Sequence, residues 1–404
     1  MNSDTFSLRV SLVYIALFVV IGIHLPFFPV WLKAQGLNDG QIALVLAGQI
    51  ATRIVSTPVF TFRADKRRAH RSMLISLCLG VTLLVTALAF AQGFLIILIL
   101  SLAGMFIWAP IMPMIESYAV REAGLRGLDY GRMRLWGSLS FIAAGAAGGL
   151  LLDYFTPTSI MISLIAGHGL LTLAALLLPR SQTKETGQVD GAAPKELRIS
   201  DATRLLATPV FVTFMLAAGL SQTSHAVLYT FGTLNWQHIG IPGGIIGLLW
   251  GTGVIAEVVL FAFSKRAVAL FTPAGLILLG ALAGVVRWAL TAHNPPLAFL
   301  FCLQVLHALT FAASHLGALH FLNRAVPRHL HATAQGVYQA LGVSVLMSIA
   351  TLLSGGLYER YGSYAYYAAA LISFCSALAA IQLLRSWDGG QIPVTPKAPQ
   401  ERDA

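Results

Sequence analysis

Apolar positions in this chain neither alternate nor recur along one helical face; they fill runs of about twenty residues separated by short polar connections. A run of that length crosses the hydrocarbon core of a bilayer as an α-helix. In the first half of the chain the runs are Leu8–Leu32, Gln41–Phe62, Ser72–Phe90, Phe94–Tyr118, Met133–Leu152 and Ser159–Leu178. In the second they are Val210–Leu234, Gly244–Phe263, Pro273–Leu290, Leu297–Leu322, Thr333–Leu357 and Tyr364–Leu384. The pattern predicts an all-α membrane protein with twelve transmembrane helices in two six-helix halves. The first run is too long for the apolar region of a cleaved signal and is expected to remain as the first span.

The only long polar stretch lies between the sixth and seventh runs, and it divides the chain. We expect a first half over residues 1–179, a linker over 180–208, a second half over 209–386 and a tail over 387–404. Within the linker, TKETGQVDGAAPKE reads as a flexible tether and ELRISDATRLLA as a short interfacial helix.

Composition sharpens this reading. Hydrophobic residues make up 57% of the chain and charged ones 10%, against roughly 25% charged in a soluble domain. The formal charge of +10 sits in the connections rather than on one soluble face, which argues against nucleic acid as a partner. Arg63, Lys66, Arg67, Arg68 and Arg71 follow the second run; Arg121, Arg126 and Arg132 follow the fourth; the opposite connections carry only Lys33 and Arg360. Positive loops are retained inside, so both termini are expected in the cytoplasm, with the protein in the cell's inner membrane. Cys78, Cys302 and Cys375 all lie in apolar runs and read as packing thiols. His307, His315 and His320 share one run, but their spacing does not place them on one narrow face and no carboxylate accompanies them, so no metal or other cofactor is expected. No pairing of nucleophile and base suggests an enzyme.

Few ionisable residues interrupt the runs. Glu116, Glu257, Arg53, Arg134 and Arg287 do so, each at a cost of roughly 2.5 to 3.5 kcal/mol, and such groups persist where they face a partner, a cavity or a substrate. Pro110 and Pro113 are expected to distort the helix before Glu116. Arg53 stands too deep to reach the interface, and its candidate partners are Glu116, backbone carbonyls or an anionic ligand. Glu257 is the only carboxylate within the runs of the second half, and with His307 and His225 it is a candidate proton carrier. Aromatic residues including Phe27, Phe28, Trp108, Phe141, Tyr229, Trp250 and Trp288 lie in or beside the same runs. Glycines recur every fourth residue at Gly145 and Gly149, at Gly243, Gly247 and Gly251, and at Gly280 and Gly284, as close helix packing requires.

The segments GIHLPFFPVWLK from Gly22, RADKRRAHR from Arg63, IES at Glu116 and DYGRMRLWG from Asp129 together resemble the major facilitator superfamily, and within it the phenylpropionate permease and lactose permease branch. The resemblance runs along nearly the whole chain and implies alternating access by a single chain. Asp65, Lys66 and Arg67 then match the family's conformational latch, with Thr61 where a leading glycine is usual. Arg134 matches the substrate-site arginine, Glu116 its acidic partner and Phe141 a stacking position. VVRWAL gives Arg287 and LQVLHALT gives His307 as coupling residues, while Thr310 and Gln304 depart from the charged residues of lactose permease three positions after and before that histidine. The span-seven aspartates of that permease are replaced near His225 and Leu228. Arg53 and the segment around Glu257 are more like the phenylpropionate branch.

The expected function is proton-coupled symport of a small organic anion, an aromatic carboxylate such as phenylpropionate. Arg53, Glu116, Arg134, Phe141 and Trp250 are the expected substrate contacts, and Glu257, His307, Arg287 and His225 the proton-coupling set. Symport of a sugar or nucleoside, and drug efflux, remain as alternatives.

Overall fold

The computed structural model describes residues 3–67, 70–179 and 199–394. The side chains of the expected latch, Asp65, Lys66 and Arg67, and linker residues 180–198 lie outside the described set. Among the described residues the chain is helical throughout, with no strand.

The first three spans are single helices, α1 (Ser3–Ala34), α2 (Asp39–Arg67) and α3 (His70–Ala89). The fourth is broken at Ala109 and Pro110 into α4 (Phe94–Trp108) and α5 (Ile111–Leu125), as the two prolines predict. Spans five and six are α6 (Tyr130–Tyr154) and α7 (Thr158–Leu177). The expected interfacial helix follows as α8 (Ile199–Leu206). Span seven divides at Ser224 and His225 into α9 (Pro209–Thr223) and α10 (Ala226–His238), and α11 (Gly243–Ala262), the short α12 (Ser264–Leu270) and α13 (Pro273–Thr291) come next.

Two spans contain π-helical turns that periodicity did not announce. The tenth runs through α14 (Leu297–Val305), a π turn at Ala308–Ala313 and α15 (Ser314–Ala325). The eleventh is α16 (His331–Val337), a π turn at Tyr338–Val345 and α17 (Leu346–Tyr361). The chain then folds back at Gly362, whose φ of 55° suits glycine, into α18 (Tyr366–Ser386). The last helical stretch, Arg328–Ser386, thus holds two crossings, and the twelve expected spans are all present.

The two ends of this bundle are held differently. At the end that carries the termini, each half closes over its own apolar core: Phe6, Tyr14, Leu77 and Tyr118 in one, Phe211, Phe214, Phe321 and Leu383 in the other. Arg9, Arg71 and Tyr118 donate to the carbonyls of Leu177, Leu176 and Leu178, and Pro179, satisfying the open end of α7. At the far end one core is shared by both halves, with Phe28, Trp31 and Leu37 packed together with Trp236, Trp250 and Ala292.

Backbones also meet at the far end. A Cβ at Gly149 would collide with the Gly243 carbonyl, and one at Gly247 with the Gly145 carbonyl, so at these positions the backbones of α6 and α11 approach as only glycine allows. A Cβ at Gly355 of α17 would lie 2.6 Å from Cβ of Ala43 on α2, and the Ser348 hydroxyl donates to the Ala47 carbonyl at 2.8 Å. Asp153, at the end of α6, accepts from the backbone N–H of Gly243 at 2.6 Å and of Gly244 at 2.8 Å. A carboxylate of the first half therefore caps a helix of the second, where the dipole favours negative charge. Among the described residues every hydrogen bond between the halves lies toward this end, and none bridges them near the termini.

Asp153→Ala removes both capping bonds, and hydrogen bonds to charged groups contribute about 1.5 to 3 kcal/mol each. The population with the far end open should rise at least tenfold, read as a longer distance between spin labels at Thr156 and Ile241. An unchanged distance distribution would make the cap incidental to closure.

Candidate functional site

Arg287 sits in α13 with 1% of its surface exposed, and no carboxylate among the described residues touches it. Its guanidinium is satisfied by neutral groups. Nη1 donates to Thr310 Oγ1 at 2.8 Å and to His307 Nδ1 at 3.2 Å, and Nη2 donates to Gln304 Oε1 at 2.5 Å. Its carbon lies 4.4 Å from the centre of the Trp288 ring, a cation–π contact in a desolvated place. Gln304, His307 and Thr310 fall three residues apart on the tenth span, so a single helical face presents all three acceptors. The π turn begins just after His307, as such turns often do where a helix is adapted to a site.

Proton positions follow from the partners. His225 Nδ1 lies 3.1 Å from the Gln222 carbonyl, which only accepts, so Nδ1 donates and Nε2 accepts. The Thr310 hydroxyl accepts from Arg287 and donates to His225 Nε2 at 3.0 Å. His307 Nδ1 accepts from Arg287, which leaves its Nε2 carrying the hydrogen, 3.9 Å from Glu257 Oε2. The four residues expected to form the coupling set, Glu257, His307, Arg287 and His225, are thus one connected cluster, and Thr310 and Gln304 complete it. In the sequence those two stood out only as departures from a resemblance; their role is to give a buried cation uncharged acceptors.

Aromatic rings close the cluster on the side of α10. Tyr229 stacks on His225 at 5.5 Å and on Trp250 at 6.1 Å, and Trp250 Nε1 donates to Thr233 Oγ1 at 3.0 Å. Trp288 Nε1 donates to Ser224 Oγ, pinning the break between α9 and α10.

In the first half, Glu116 of α5 and Arg134 of α6 form an ion pair at 3.7 Å with side chains 39% and 27% exposed. Phe18 and Tyr14 lie against the guanidinium, with ring centres 4.1 and 5.6 Å away. Arg53 does not join this pair. It meets no carboxylate among the described residues, and its hydrogen bond goes to the Met105 thioether at 3.8 Å. Phe141 is buried, and its backbone lies against Gly22 of α1.

The antiparallel register of α6 and α11 relates the two clusters. Gly149 opposes Gly243 and Gly145 opposes Gly247, so Arg134 falls level with Glu257. Both stand about 16 Å toward the termini from the glycine contact, at 1.5 Å per residue. The charge of Arg134 acts on Glu257 from the facing helix.

Glu122 escaped the sequence reading. It is fully buried and paired with Arg126 and Arg121 at the end of α5, a structural ion pair in a place that hydropathy assigned to a connection. His24 of α1 was passed over as well; it lies within electrostatic range of Arg53 and of His168 on α7. Neither carried a signal beyond its own identity.

The family model described as the MFS_1 like family matches residues 7–369. The chain is 30% identical over 364 residues to the "Probable 3-phenylpropionic acid transporter" of Escherichia coli K12, covering 90% of this chain and 94% of that one. It is 27% identical over 377 residues to the maltose permease of Geobacillus stearothermophilus, covering 92% of each. The crystal structure of the nucleoside transporter NupG superposes with a TM-score of 0.83 at 16% identity, covering 96% of this chain and 100% of that one.

Thr310→Val should leave one Arg287 hydrogen and His225 Nε2 without partners and lower stability by about 1.5 to 3 kcal/mol. Thermal unfolding in detergent would read this, with Thr310→Ser restoring most of it. A Thr310→Val protein as stable as the parent would show that the hydroxyl does not hold Arg287.

Proposed function

This chain belongs to the MFS_1 like family, and on that premise we propose that it imports a small organic anion, an aromatic carboxylate of the phenylpropionate kind, together with a proton. Import is by a single chain that alternates between two open states. Substrate would bind near the bilayer midplane, between the two halves, as in carriers of this architecture. With the termini in the cytoplasm, as the loop charges favour, the structure corresponds to a state sealed outside and parted inside.

The observation that carries the reading is the charge inventory of the interior. Apart from the Glu122–Arg126 pair and the Asp153 cap at helix ends, three guanidiniums, those of Arg53, Arg134 and Arg287, stand deep in the spans against two carboxylates, those of Glu116 and Glu257. A monoanion relieves that excess and a neutral sugar does not. On this reading Arg134 with Glu116, Arg53, Phe141 and Trp250 would bound the space between the halves. The 3-phenylpropionic acid named for the E. coli relative fits such a space in charge and in aromatic character.

Glu257 is the proton carrier on this reading. It is the carboxylate of the second half that falls level with Arg134, and it touches the Arg287 cluster through His307. When the carboxyl is protonated, its negative charge no longer opposes an anion entering between the halves. One proton moving with one monoanion transfers no net charge, so a membrane potential should not drive the process.

In proteoliposomes, a pH gradient alone should therefore drive uptake of 3-phenylpropionate, and a potential alone should not. Potential-driven uptake of maltose or a nucleoside with no response to the acid would replace the anion by a neutral substrate. Glu257→Gln should abolish accumulation against a gradient while leaving exchange of internal for external substrate intact. Uphill accumulation by that variant would move the proton to His307. Arg134→Ala should weaken binding about tenfold to a hundredfold, the equivalent of one charge-assisted contact.

A further inference from the structure

Arg53 is the exception among the arginines of the interior. Arg287 is enclosed by acceptors and Arg134 is paired with Glu116, whereas Arg53 keeps an accessible surface and only a thioether as hydrogen-bond partner. It lies midway along α2, fourteen residues from either end of the helix. A guanidinium turned to lipid at that depth would be strongly disfavoured. Its hydrogen bond to Met105 on α4, with His24 of α1 within electrostatic range, instead places it on the inner side of the first half. The accessible surface therefore opens into the space between the halves.

His24 shares that position. Its ring is stacked on Phe28 at 4.5 Å with an interplanar angle of 16°, and Phe28 stacks in turn on Trp31 at 5.7 Å. The stacking fixes the plane of the imidazole and leaves its edge free, since no described residue forms a hydrogen bond with it. Pro26 and Pro29, inside the same helix, release the carbonyls that would otherwise bind their missing N–H groups, a feature tolerated where a helix borders a cavity. His168, the other titratable group near His24, is already committed through Nδ1 to the Leu164 carbonyl at 2.7 Å and packs edge-on against Trp108 at 5.1 Å. Trp108 stands one turn beyond Met105 on α4.

We propose that Arg53 and His24 form the carboxylate seat of the transported anion, the guanidinium taking the carboxylate through its free N–H groups, the neutral imidazole donating to one oxygen, and Trp108 facing the aryl body. This deepens the anion-import reading and rests on it. Arg134, already compensated by Glu116, then plays a different part and shapes the site for acid and neutral analogue alike. Arg53 and His24 distinguish the acid from its neutral analogue. A guanidinium matches two carboxylate oxygens in a way that it cannot match an amide, which presents one oxygen and an N–H₂ donor.

Binding of 3-phenylpropionate and of its amide would be measured by calorimetry on the purified full-length protein in nanodiscs. The parent protein should prefer the acid at least tenfold. Arg53→Gln and His24→Leu should each weaken the acid tenfold or more and leave the amide within twofold, and His24→Gln, which keeps a donor, should recover part of the preference. Arg134→Ala should weaken both ligands by the same factor. Melting curves screen each variant for folding; should Arg53→Gln not fold, Arg53→Lys keeps the charge without the fork and should still lose most of the preference. An undiminished preference in Arg53→Gln, Arg53→Lys or His24→Leu would overturn the seat while the anion reading stands. Absence of acid binding in the parent protein, with binding of maltose or a nucleoside, would overturn both.

Discussion

A guanidinium enclosed without a carboxylate in contact sets the terms for the second half of this protein. Arg287 must find acceptors for its N–H groups where neither water nor lipid can supply them, because an unsatisfied buried donor costs more than a made bond returns. Gln304, His307 and Thr310 supply them from one helix, and Thr310 hands the bonding on to His225. Helices α10, α13 and the tenth span are tied together as a result. Neutral acceptors leave the positive charge uncancelled, and Glu257 adjoins the cluster by way of His307. A carboxylate contact for Arg287 would have cancelled that charge.

The contrast between the two ends follows from how tightly backbones can approach. Glycine on both α6 and α11 lets the halves meet main chain to main chain at the far end, and the Asp153 carboxylate adds a cap that binds only while they are together. Toward the termini the same helices carry Arg134 and Glu257, bulky and charged, and separate apolar cores replace the shared one. One pair of helices thus has a backbone-mediated contact at one end and charged side chains at the other. A rocking motion about such a pair would exchange which end is closed without unfolding either core, the behaviour proposed for this chain.

The spans were legible because the hydrocarbon core demands about twenty apolar residues in sequence and the chain supplies that twelve times. The break before Glu116 was legible for a similar local reason, since Pro110 cannot complete the helix's bonding pattern. The π turns at Ala308–Ala313 and Tyr338–Val345 were not, because they answer to groups on other helices, Arg287 among them, rather than to local propensity. Membership of the site divided along the same line. Glu116, Arg134, Arg287, His307 and Glu257 announced themselves as ionisable residues inside apolar runs. Thr310, Gln304 and Asp153 did not, since a hydroxyl, an amide or a carboxylate at a helix end is ordinary until its partner is known. Of the three candidate partners for Arg53, Glu116 is engaged by Arg134 instead, while Arg53 bonds to the Met105 thioether.

Arg53 and Arg287 carry the same side chain within apolar spans and meet opposite fates. Burying Arg287 required a glutamine, a threonine, a histidine and a tryptophan ring arranged around it, and what results is rigid and complete. Nothing comparable was built around Arg53, where a single thioether leaves most of the N–H groups without protein acceptors. Water in the parted cavity can hydrate such a group in the open state, but closing the cavity removes that water. The cation then faces a low-dielectric space with too few acceptors, which raises the cost of closing empty. An anion seated on Arg53 supplies the missing oxygens and the missing charge together. The incompleteness of the site would in this way penalise movement of an empty carrier and favour movement of a loaded one, an advantage that a fully satisfied arginine could not provide.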